Sequence, residues 1–212
     1  YGKFLYKITP KIGPTLLKHD IVPSSVAPSK CDPAYFSAGR VRALRHSEIK
    51  QLEQQFIDGA VRVKKAGCDG VELHSSHGYL LQQFLSPVTN QRTDEYGGSL
   101  ENRMRFILNI IKGIKAACGE DFPLIVRLTV DECYERIGQP GKGYTLEEGV
   151  EIARRLEKAG INAIDVSSAG YDTFNYWLEP VSFEPGWRKY MAKAVKDAVS
   201  IPVIAANLIR SP

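Results

Sequence analysis

"FPLIVRLTV", residues 122 to 130, has the composition of a buried strand and carries a guanidinium in its middle. Strand alternation puts Val126 and Leu128 on one face and Ile125, Arg127 and Thr129 on the other. The same split recurs in the runs before and after it. In "GVELH" (70–74), Val71 and Leu73 oppose Gly70, Glu72 and His74; in "NAIDVSS" (162–168), Ile164 and Val166 oppose Ala163, Asp165 and Ser167. Each strand offers an aliphatic face to helices and a small or polar face to something else. Doubly wound sheets bury both faces in aliphatic side chains. A (β/α)8 barrel instead tolerates polar groups near its mouth, where its active sites lie. No GxGxxG follows any of these strands. The pattern favours an α/β barrel over a dinucleotide-binding sheet.

Working outward, "HSEIKQLEQQFIDGAVRVKKAG" (46–67) repeats apolar residues at helical spacing, with Glu48 in the first turn and Gly67 as a stop. A second helix is expected from Ser99, as N-cap, to Cys118, with Gly119 closing it. "TLEEGVEIARRLEKAG" (145–160) and "GWRKYMAKAVKDAV" (186–199) are the third and fourth, and "IPVIAAN" (201–207) is the last strand. Four strands alternating with four helices argue a parallel sheet. A full barrel needs about 250 residues and eight strands. The 212 residues, opening on Tyr1 and closing on "IPVIAANLIRSP", therefore read as a segment of one, about strands 4 to 7, cut at both ends. Residues 1–45 are Pro-, Ser- and Ala-rich and read as an irregular loop region with, at most, a short hairpin; residues 46–212 read as the central part of the barrel.

Composition excludes several classes. The 28 Lys and Arg are interleaved with 24 Asp and Glu, so a net charge of +4 forms no stripe for nucleic acid. Neither a long apolar run nor a signal pattern is present, which leaves no expected membrane partner. Cys31, Cys68, Cys118 and Cys133 have no CxxC spacing and fit reduced thiols of a cytoplasmic protein.

His74 ends its strand on the polar face, His77 follows three residues on, and Tyr79 comes after Gly78. Three hydrogen-bonding groups thus gather at one strand end. They can be read as donors to a substrate oxygen or as caps of their own loop, and less readily as a metal pair. Zinc-binding helices space two His at i and i+4 around a Glu, which is absent, and His19 and His46 both precede the strand. Arg127 needs an acceptor to offset its desolvation. Glu72 or Asp165 could be that partner, as could a bound cofactor that becomes negative.

The run "AGCDGVELHSSHGYLLQQFLSPVTNQRTDEYGGSLENRMRF" (66–106) resembles the signature of the old yellow enzyme superfamily of FMN-dependent NADH:flavin oxidoreductases. The likeness continues through "LIVRLT", "AIDVSSAGYD" and "IPVIAANLIRSP", covering roughly residues 40 to 212. The two histidines and "EPVSFEPGWRKY" are most similar to the branch of 2,4-dienoyl-CoA reductase, 2-enoate reductase and the bile-acid-inducible flavin oxidoreductases. The resemblance implies a (β/α)8 barrel with FMN at its C-terminal mouth and NAD(P)H as hydride donor. The substrate would be a small α,β-unsaturated carbonyl compound: an enoyl thioester, an enoate or a steroid-like molecule.

By the same resemblance, His74 and His77 match the pair that hydrogen-bonds the substrate carbonyl, and Tyr79 matches the proton donor. Two aimed donors would stabilise the enolate charge that hydride transfer creates. Arg127 matches the arginine beside the flavin's N1 and C2 carbonyl. Asn207, with the backbone of Ala206 and Leu208, falls where the loop after the seventh strand approaches the FMN phosphate; Ala206 stands where Gly would allow a closer approach. Metal ligands are not expected. The branch further implies a 4Fe-4S centre and an FAD domain outside these residues; a homo-oligomer is one possible assembly. Dienoyl-CoA reductases add a histidine after the sixth strand, where "AGYDTFNYWLEP" has Tyr171 and Asp172 instead. In "NQRTDEYGGSLENR", Arg92, Asp94, Asn102 and Arg103 are expected to tie the loop to its own backbone. Rival readings are a metal-dependent barrel hydrolase using His74 and His77, and a noncatalytic flavin-binding segment. The segment alone is expected to be inactive.

Overall fold

The computed structural model describes residues 24–30 and 40–210. Four parallel strands form the main sheet, β3 (Val71–Ser75), β4 (Leu124–Thr129), β5 (Ala163–Ser167) and β6 (Val203–Ala205), hydrogen-bonded in chain order. Helices α1 (His46–Lys65), α2 (Leu80–Leu85), α3 (Leu100–Cys118), α4 (Leu146–Lys158) and α5 (Lys189–Lys196) alternate with them. The expected strand faces are present: Leu73, Val126, Leu128, Ile164 and Val166 are buried in the core, against an isoleucine-rich side of α3 built from Ile107, Ile110, Ile111 and Ile114. The opposite face is polar and partly open. Register aligns His74 with Arg127, Arg127 with Asp165, and Asp165 with Ile204, a single row across that face.

Differences from the expected boundaries have local causes. The last strand shrinks from 201–207 to Val203–Ala205 because Pro202 lacks an N–H and because Asn207 (φ 80°) and Leu208 (φ 47°) leave extended geometry. The last helix begins three residues late, after Gly186 at φ 66°. Helix α2 was not anticipated; six residues are too few to display a period. Ser24–Ala27 (β1) and Arg40–Ala43 (β2), placed in the irregular region with at most a hairpin, pair in parallel register, which a hairpin cannot do. His19 and Cys31 lie outside the described residues. Cys68, Cys118 and Cys133 are free thiols.

The polar loop before α3 is scaffolding, with a longer reach than expected. Asn102 Nδ2 donates to Gly97 O (3.1 Å) and Arg103 Nε to Gly98 O (3.2 Å). Arg92, besides pairing with Asp94 (2.5 Å), donates to the carbonyls of Pro28 and Leu44 (2.8 Å each) and so ties the loop to the β1–β2 ladder. A Cβ on Gly97 would stand 2.2 Å from Arg92 O, so only glycine fits there.

Candidate active site

The site grows from the C-terminal ends of β3, β4 and β5. After Ser75 the chain turns through His77 (φ 59°) and Gly78 (φ 74°), two consecutive left-handed residues that throw the His77 ring back over the sheet. That conformation costs a non-glycine residue on the order of 1 kcal/mol, and several contacts hold it. His77 N donates to Thr129 Oγ1 (3.2 Å), Nε2 lies 2.6 Å from Ser167 Oγ, and the ring stacks on Trp177 at 4.4 Å and 18°. Burial, aided by the charge of Arg127, holds the His77 imidazole down to about 2. It is a neutral ring with one N–H at any working pH.

His74 is more open. Its centroid is 5.2 Å from those of both His77 and Tyr79, and neither ring nitrogen hydrogen-bonds among the described residues. Burial and Arg127 lower its basicity as well. With Phe56, Tyr79 and Leu81 it lines an open cleft. Tyr79 is the N-cap residue of α2, and its hydroxyl lies 3.1 Å from that of Tyr171 in the loop after β5. All three residues singled out at this strand end therefore do converge.

Of the partners open to Arg127, the internal carboxylate is Asp165, with Nε 3.3 Å from Oδ2. The approach is off-line, so the pair is ionic without being a hydrogen bond: Arg127 Nε and Asp165 Oδ1 are both buried and unmatched. Burial raises the Asp165 and Glu72 carboxyls, while Arg127 opposes both shifts. The guanidinium is thus anchored at its base and incompletely satisfied. Its side chain is 30% exposed, so the outer end of the guanidinium can meet a further acceptor on the open face.

At the end of β6 the Asn207 side chain turns inward. Its Nδ2 donates to Trp177 O (3.2 Å) and Glu179 Oε2 (2.5 Å). Glu179 also accepts from Trp187 Nε1 (2.7 Å) and pairs with buried Arg188 (2.8 Å), whose Nη1 reaches Ser168 Oγ (2.9 Å). This leaves backbone, not the Asn207 amide, as the surface that the 206–208 turn can offer an anion, since successive N–H groups of a turn can form an anion-binding concavity. The partly exposed Arg127 guanidinium and this turn together fit a bound flavin nucleotide. Among the described residues no group of three or more His, Cys, Asp or Glu could hold a metal ion.

The family model described as NADH:flavin oxidoreductase / NADH oxidase matches residues 10–212. The chain belongs to that family, within the old yellow enzyme superfamily. It is 49% identical to an NADH oxidase of Thermoanaerobacter brockii over 88% of its own length and 28% of that relative. It is 37% identical to a cinnamate reductase of Clostridium sporogenes, over 89% of the chain and 30% of the relative. A solved 2-naphthoyl-CoA reductase complex superposes with a TM-score of 0.79 at 32% identity, covering 89% of this chain and 28% of that one. The chain thus spans less than a third of these relatives, and the sheet is a segment of their (β/α)8 barrel. The metal-dependent hydrolase reading is not favoured by a family of flavin enzymes.

Ser167, Tyr171 and Trp177 were not among the residues expected from sequence. Ser167 carried a usable signal, since alternation puts it on the polar face with Asp165. Tyr171 and Trp177 sit in a loop without periodicity and carried none. Among the described residues no helix is long and apolar enough to cross a membrane.

Proposed function

We propose that this chain is part of an FMN-dependent reductase that passes hydride from NAD(P)H to the activated C=C bond of an α,β-unsaturated carbonyl compound. The observation that carries this reading is the convergence of His74, His77 and Tyr79 at one strand end beside Arg127. The names of two relatives, a cinnamate reductase and a 2-naphthoyl-CoA reductase, support a conjugated carboxylate or thioester as substrate class.

Bound FMN would supply the hydride. Arg127 would hold the polar edge of its ring, and the 206–208 backbone its phosphate. His74 and His77 are neutral, so each gives the substrate carbonyl one N–H. For His77 we assign Ser167 as the donor to Nε2, which puts the ring proton on Nδ1 and leaves a donor for the substrate. Donors fixed by packing stabilise the charge that develops on the carbonyl oxygen without having to reorganise. Tyr79 then gives its phenolic proton to the α-carbon: its O–H bond breaks, a C–H bond forms, and solvent restores the proton. A 4Fe-4S centre, an FAD, a cytoplasmic setting and self-association belong to this proposal as properties of the whole protein.

The visible spectrum of the purified full-length protein tests the reading. Oxidised-flavin bands that bleach with NADH or NADPH and return on adding an enoate support it. Stoichiometric zinc without flavin absorbance, or a bound flavin inert to both nucleotides, overturns it.

A further inference from the structure

The loop after β5 docks on the loop after β3. Gly170 faces the His77–Gly78 backbone just before Tyr79, near enough that a Cβ there would lie 3.4 Å from Gly78 N. The docked loop is braced behind this point. Thr173 Oγ1 accepts from Gly170 N (3.1 Å) and donates to Glu132 O (2.8 Å), and Tyr134 donates its hydroxyl proton to Asp172 Oδ2 (2.8 Å). Trp177 sets its ring edge-on to Tyr171 at 5.1 Å while stacking on His77. The braced loop therefore presents one hydroxyl, Tyr171 OH, 3.1 Å from Tyr79 OH, with the two rings at 89°.

We infer that Tyr171 is a positioning residue for the acid Tyr79: its hydroxyl donates to the Tyr79 oxygen, aims the Tyr79 proton at the substrate carbon, and stabilises the phenolate left behind. This rests on the reductive reading of the site. The direction of donation follows from the chemistry. If Tyr79 spends its own proton on substrate, its oxygen is the acceptor in the pair, and the charge that forms there strengthens the bond. Tyr171 also lines a small pocket with Gln82, Glu132 and Asp172, whose polar groups offer a route for a replacement proton. No outside oxidant or reductant is needed: Tyr79 O–H is broken, substrate C–H is made, and the phenolate is reprotonated from water.

The test uses the full-length flavoenzyme and the variants Tyr171→Phe, Tyr79→Phe and both together. Tyr171→Phe keeps the ring packing and removes one donor to a charged oxygen. Bleaching of the flavin by NADH or NADPH should be unchanged, and reoxidation by an enoate about tenfold slower. The basic limb of its pH profile should move up by about one unit, because the phenol becomes a weaker acid. In the Tyr79→Phe background, Tyr171→Phe should have no further effect on reoxidation, and Tyr171→His, which restores a donor, should recover part of the single variant's loss. An unshifted limb, or the same slowing in both backgrounds, overturns the inference and leaves the reductase reading intact. Wild-type protein whose reduced flavin is not reoxidised by any enoate overturns the reading itself, and this inference with it.

Discussion

Ser167 Oγ stands 2.6 Å from His77 Nε2, joining the end of β5 to the turn after β3 across 90 residues of chain. With Ser167 as the donor, as proposed above, this contact keeps the proton of the neutral, buried His77 ring on Nδ1. Ser167→Ala removes that constraint without disturbing the Trp177 stack. Enoate-dependent reoxidation in the full-length enzyme should fall about tenfold, the worth of roughly one hydrogen bond, while flavin bleaching by NADH or NADPH stays the same. Equal slowing of both half-reactions in stopped flow would show that Ser167 matters to the flavin and not to His77.

Asp165 offers a second test through a potential. Its carboxylate, 3.3 Å from Arg127 Nε, offsets part of the positive charge proposed to face the flavin. Asp165→Asn keeps the side-chain shape and removes the offset, so the negative reduced cofactor is better stabilised. The midpoint potential of the bound flavin should rise by on the order of 30 mV, equivalent to about 1.4 kcal/mol for a two-electron couple. Burial already biases Asp165 toward its neutral form, which limits the shift. A potential that is unchanged or more negative would separate Arg127 from the flavin.

Much of this arrangement was legible in the sequence because strands announce their faces. Alternation separated Val126 and Leu128 from Arg127, and the same rule located Asp165 and Ser167, so the polar row across the sheet followed from composition and spacing. Contacts between strand ends have no such period. Tyr79 and Tyr171 meet across 92 residues, through a loop whose path depends on Thr173 reaching the Glu132 carbonyl and on Tyr134 holding Asp172. The short helix α2 and the β1–β2 ladder escaped for a related reason. Each is too brief to show a pattern, and each is held by distant partners, as Arg92 holds the ladder through Pro28 and Leu44.

Gly149 reports on how the barrel layers fit. A Cβ there would fall 1.8 Å from Val130 O, a backbone atom that cannot swing aside. Helix α4 can approach the end of β4 only because this residue is glycine. Gly149→Ala gains helix propensity, worth about 1 kcal/mol, but must push α4 off the sheet, and overpacking of this kind costs about 1–3 kcal/mol. The net effect should be a lower unfolding midpoint in denaturant for the full-length protein. A midpoint at or above wild type would mean that α4 can slide.

Glu132 and His77 should give the protein opposite pH dependences of stability. The Glu132 carboxyl accepts from Tyr144 N (2.9 Å) and Gln82 Nε2 (3.1 Å), and burial pushes it from 4.5 to about 7. A carboxyl raised in the folded state contributes stability that is complete below pH 4.5 and is lost as pH rises through about 7, a total of about 3 kcal/mol at 1.36 kcal/mol per unit. His77 is depressed from 6.5 to about 2, so its contribution is present above 6.5 and is lost as pH falls through that range. Between 4.5 and 6.5 the two slopes oppose; from 6.5 to about 7 the Glu132 slope stands alone. Glu132→Gln should therefore flatten the decline in thermal midpoint on the neutral side while leaving the acid-side decline in place. His77→Gln should do the reverse. Thermal midpoints of the full-length protein and both variants, followed from about pH 4 to pH 8, check this. A Glu132→Gln profile that stays parallel to wild type across the whole range would mean that the buried carboxyl titrates at its ordinary value and that water reaches the pocket it lines with Tyr171.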